Sequence, residues 1–74
     1  KVRIIAAFRN RKPVICIEIR NGAVAQAKLV NNKPVRDDAE LNRALLAWAK
    51  SRKLIIETND VQTEREVANV AAAV

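Results

Sequence analysis

The stretch Glu57-Thr58-Asn59-Asp60 sets two carboxylates just past the apolar run Leu54-Ile55-Ile56. Acidic residues at the end of a buried strand are where many nucleic-acid enzymes hold divalent ions, which stabilise the attacking and leaving oxygens of phosphodiester hydrolysis. When a helix follows, the same residues have a plainer use: a carboxylate there offsets unpaired N–H groups and the positive end of the dipole. Other catalytic arrangements are excluded. The chain has no histidine and a single cysteine, Cys16, so neither Ser-His-Asp and Cys-His nucleophiles nor the usual zinc sites can be assembled. Its one glycine, Gly22, is used in a hairpin, leaving none for a phosphate-cradling loop.

The cations offer binding instead of catalysis. Fourteen Lys and Arg against eight Asp and Glu give a net charge of +6 on 74 residues, a balance that favours polyanions, nucleic acid first. They gather at two places. Arg9, Arg11 and Lys12 crowd the first turn, and Lys50, Arg52 and Lys53 end the first predicted helix. Phe8 and Trp48 are the only aromatic residues, so there is no ladder on which successive bases of a single strand would stack.

Alternation and turn chemistry supply the elements that position these groups. Strands are predicted over 2–8, 14–20 and 23–30, with Asn21-Gly22 between the last two as a type I′ turn. A two-residue turn pairs Arg20 with Ala23, Ile19 with Val24, Glu18 with Ala25 and Ile17 with Gln26. One hairpin face then carries Ile15, Ile17, Ile19 and Val24 toward a core. The other carries Cys16, Glu18 and Arg20 over an alanine stripe, Ala23, Ala25 and Ala27. A helix is expected over 38–52, started by a box of Asp37 and Glu40 and facing the core with Leu41, Leu45 and Trp48. A short strand over 54–58 and a closing helix over 63–74, capped by Thr63 and Glu66, complete a β-β-β-α-β-α order. This is a small α+β domain: an antiparallel meander with helices packed on the sheet. A right-handed crossover would set the fourth strand beside strand one and parallel to it.

That order, with the segment "AELNRALLAWAKSRKLIIETND", resembles the first half of the ribonuclease H-like fold. The likeness lies in a glutamate and leucine on an alanine-rich helix, followed by an apolar strand that ends in Thr and Asp. It implies that Glu40 matches the helix glutamate and Asp60 the strand-end aspartate of a two-magnesium site. The strand-one aspartate of that family has no counterpart: Ala6 or Ala7 stands nearest its place. Two carboxylates without the third cannot build a two-metal centre, so Glu40 and Asp60 are weak metal candidates and no enzyme activity or cofactor is expected.

Half the residues are apolar but in short runs, none near the roughly 20 needed to cross a bilayer. The first residues lead straight into a strand, so no leader is expected, and a lone cysteine suits a reducing cytoplasm. Size allows one domain and one modest core. The reading that follows is a non-catalytic binding module that contacts nucleic acid or a protein partner through its basic patches. The protein-partner form uses the alanine-striped face or an unpaired edge strand and includes a homodimer. A third reading is an engineered α+β sequence: Tyr, His and Met are absent and both helices open on caps, as designers intend.

Overall fold

The computed structural model describes residues 2–65. It contains β1 (Val2–Arg9), β2 (Lys12–Arg20), β3 (Ala23–Leu29), a one-turn 3-10 helix over Val35–Asp37, α1 (Ala39–Ser51) and β4 (Ile55–Ile56). Beyond β4, Glu64 and Arg65 are helical and Thr63 is not, while residues 66–74 of the predicted closing helix lie outside the described residues. The fold is α+β, a mixed sheet of four strands with α1 on one face.

Both tight turns are two-residue reversals with positive φ at each central position, Asn10-Arg11 (52° and 66°) and Asn21-Gly22 (51° and 77°). That geometry matches the twist of the flanking strands. It carries β2 back two residues further than predicted, to Lys12, so that Pro13 lies inside the strand opposite Phe8.

The expected pairing of β2 with β3 holds only next to the turn. Arg20 faces Ala23 and Ile19 faces Val24, but a bulge at Ala25 then sets Glu18 opposite Gln26 and Ile17 opposite Ala27. One extra residue moves every later side chain to the other face. Ala27 therefore joins Ile15, Ile17, Ile19 and Val24 in the core, and Ala23 is also buried, so the alanine stripe does not exist as a surface. Gln26 and Lys28 take the outward positions beside Glu18 and the exposed Cys16.

The strand order is β1-β2-β3-β4, which corrects the expected neighbour of the fourth strand. β4 runs parallel to β3, and so in the direction of β1, but it pairs with β3. The chain leaves α1 through three residues and reaches the nearest free edge, where the N–H groups of Ile55 and Glu57 donate to the carbonyls of Gly22 and Val24. β1 keeps the far edge.

α1 starts on Asp38, not Asp37: the Asp38 carboxylate accepts from the Leu41 N–H at 3.0 Å. Glu40 thus occupies the second helical position and takes no part in a capping box. The helix ends in a Schellman turn, with Leu54 N–H donating to Ala49 O and Lys53 N–H to Lys50 O. Lys53 holds the left-handed conformation usually given to glycine, at φ 57°. Leu41, Leu45 and Ala49 close over the sheet, with Val35 and Val61 filling the ends of the core at 0% exposure.

Candidate functional site: a cationic groove at the hairpin end

Parallel pairing of β3 with β4 decides which charges meet. Ile55 pairs with Ala23 beside the Asn21-Gly22 turn, so the end of α1 lies at the hairpin end of the sheet. The Arg9–Lys12 turn closes the opposite end, since Val2 pairs with Arg20 while Arg9 pairs with Lys12. The two basic clusters are therefore not one track.

At the hairpin end there is a groove of about 530 Å³. Its apolar wall is made of Ile5, Ile19 and Leu54, and Trp48 lines it too. Trp48 is half-buried and packs against the core, so the core position expected for it is only part of its surroundings. Arg3 and Arg52 complete the lining, with the Asn21-Gly22 turn at the rim. Arg3 belongs there through alternation: it stands opposite Ile19, on the same sheet face as Ile5, at a margin left exposed. Arg52 follows Trp48 by four residues and so extends along the same side of the helix end. Among the described residues no carboxylate lines this groove and neither arginine forms a salt bridge.

Three carbonyls at the end of α1 beside these cations are paired within the turn. Trp48 O accepts from both Arg52 N–H and Ser51 Oγ, and Ala49 O and Lys50 O are taken by the Schellman turn. Two guanidiniums, an indole and an apolar wall are suited to an anion attached to a planar body.

The remaining predicted residues are placed differently. Arg9 donates to Glu40 at 3.1 Å, a surface pair joining the end of β1 to the start of α1. Arg11 and Lys12 are exposed in their turn, and Lys50 and Lys53 are exposed around the end of α1. Glu57 is exposed just past the short strand. Asp60 is buried and is not a helix cap. Its Oδ2 accepts from the Ala27 N–H at 3.0 Å and its Oδ1 from Lys28 Nζ at 2.7 Å. β4 pairs only with Ala23 and Val24, so the carboxylate continues the ladder where the strand leaves off. Burial pushes the Asp60 carboxyl up, but the Lys28 ammonium, the Ala27 N–H and Thr58 outweigh it and hold it below its ordinary value. Glu40 and Asp60 are each held in separate contacts, and no cluster of three metal-ligating side chains occurs among the described residues.

Sequence reasoning missed Arg3, Lys28 and the Asn42–Gln62 pair. Asn42 donates from Nδ2 to Gln62 O and accepts at Oδ1 from Gln62 N–H, both at 2.8 Å, fastening α1 to the segment after β4. For Arg3 a signal existed in its two-residue spacing from Ile5. The cross-links of Lys28 and Asn42 have no such local signal.

No helix among the described residues is long and apolar enough to cross a membrane. Comparison with family models, curated proteins and solved structures finds no match to this chain.

Proposed function

We propose that this chain is a small non-catalytic binding module that contacts nucleic acid through the hairpin end of its sheet. The observation that supports the reading is the convergence of Arg3 and Arg52 on one groove that no carboxylate lines among the described residues. A net charge of +6 adds long-range attraction for polyanions. Of the basic residues at the other end, Arg9 is already engaged by Glu40, which lowers its worth to a phosphate.

Titration with duplex and single-stranded DNA across a salt series tests this. Affinity should fall steeply with salt, and the combined Arg3→Ala, Arg52→Ala change should flatten the log–log slope by about 1 where the two guanidiniums share one phosphate and by about 2 where each holds its own. Changing Arg9, Arg11 and Lys12 to Ala should have the smaller effect. Undetectable binding of both probes at about 50 mM salt, where phosphate contacts are strongest, overturns the reading.

A second reading, self-association, is favoured by β1. This eight-residue edge strand exposes Val2 at 50% and both Ile4 and Phe8 at 64%. Two copies paired antiparallel about Ile5 would set Val2 opposite Phe8 and Arg3 opposite Ala7. Sedimentation that gives a monomer at high concentration, unchanged by Ile4→Lys, counts against it.

A further inference from the structure

We propose that the groove beside Trp48 takes a single unpaired nucleotide, its base laid on the indole and its phosphate shared by the Arg3 and Arg52 guanidiniums; this rests on the nucleic-acid reading above. The side chains select this class of ligand by elimination. A cation is repelled by two guanidiniums with no carboxylate lining the groove among the described residues, and a bare phosphate would leave the indole and the wall of Ile5, Ile19 and Leu54 unused. A base attached to its phosphate uses both. Guanidinium forks bond phosphate oxygens in pairs, and an indole face stacks on any base, so the contact carries little sequence preference.

The number of nucleotides follows from the aromatic count. Trp48 is the only tryptophan, and the other aromatic, Phe8, lies near the opposite end of β1 beside the first turn. A lone platform cannot hold a run of stacked bases. It fits one base at a strand end, a gap or a flipped position, and about 530 Å³ falls within the range of roughly 300–1,000 Å³ typical of small-ligand sites. The packing of Trp48 on the core fixes the platform, so little rotamer freedom is lost when a base lands on it.

The single tryptophan is also the reporter. The whole chain is titrated with a terminally phosphorylated oligothymidylate and with a blunt duplex, following intrinsic emission and, separately, the anisotropy of labelled probes. The single strand should quench Trp48 emission. Trp48→Ala should weaken single-strand binding roughly ten-fold while leaving duplex affinity within about two-fold, and Trp48→Phe should keep most of the single-strand affinity. Because Trp48→Ala removes some core packing, the quench in the unaltered chain and the behaviour of Trp48→Phe stand as measurements that need no folded Ala variant. Binding of both probes with no quench, and with Trp48→Phe and Trp48→Ala alike to the unaltered chain, overturns the groove proposal while the nucleic-acid reading stands. If neither probe binds at low salt, both fall.

Discussion

Asp60 and Glu40 carry the same chemical group and share one motif likeness, yet the fold uses them in opposite ways. The Asp60 side chain is 13% exposed and its two oxygens meet two donors, one of them a backbone N–H that no strand reaches. The Glu40 side chain is 78% exposed and meets one arginine that is itself half in water. What separates them is the neighbouring backbone. β4 is two residues long, and the donor it leaves unpaired at Ala27 must find an acceptor or be buried without one. At the start of α1 that task belongs to Asp38, which frees Glu40 for the surface. Replacing Asp60 with Ala is therefore the most damaging change expected at either site. It leaves the Ala27 N–H and the Lys28 ammonium without their partner and should cost about 2–3 kcal/mol, read as a lower urea midpoint at unchanged slope. A loss no larger than that from Glu40→Ala would break the contrast.

This difference also marks what could be read in the sequence. The three strands of the meander and α1 came through because alternation, Asn-Gly and helical spacing are local, and so did the burial of Ile15, Ile17 and Ile19. The bulge at Ala25 was not legible, because alanine suits either face of a sheet and does not object to a shifted register. The neighbour of β4 depended on which edge the short link after α1 can reach, a property of three dimensions. Arg11 and Lys53 take positive φ without being glycine or asparagine, so neither turn announced its geometry. Of the candidate groove, Arg52 was legible as part of a basic run. Arg3 became visible only when β1 was laid beside Ile19, and Trp48 read as core because helical spacing does not say where the covering sheet ends.

Coupling measurements sharpen the comparison further. A double-mutant cycle on Lys28 and Asp60 should return about 1–2 kcal/mol, since the two are partly buried at 2.7 Å. The corresponding cycle on Arg9 and Glu40 should return about 0.2–0.5 kcal/mol and vanish in high salt. A neutral control lies on the same helix. Asn42→Ala removes a buried amide that satisfies both backbone groups of Gln62, and should cost about 1–2 kcal/mol with no salt dependence.

Titration tests the setting of Asp60 in a different way. The folded-state pKa of Asp60 lies below its ordinary value of 3.8, so its contribution is fully present above the unfolded pKa and fades as pH falls through the folded one. Stability of the unaltered chain should therefore drop on acidification below about pH 4. Asp60→Asn keeps an acceptor for Ala27 N–H but cannot lose a charge, so its stability curve should be flatter across the same range. Equal acid slopes in the two proteins would remove the ion pair from the account of Asp60.

The smallest effect expected is at Glu40, and it is informative for that reason. Glu40→Gln deletes the surface pair with Arg9 but preserves the helix start, which rests on Asp38. Some loss remains, because an acid in the first turn interacts favourably with the helix dipole. Together these should amount to no more than about 0.5 kcal/mol at low salt. The same change releases Arg9 at the end of the sheet away from the groove. If nucleic acid is bound only at the hairpin end, its affinity should rise no more than removal of one negative charge explains, and equally for Glu40→Gln and for Glu40→Gln combined with Arg11→Ala and Lys12→Ala after allowance for net charge. A gain specific to the first variant would move the binding surface to the Arg9 end.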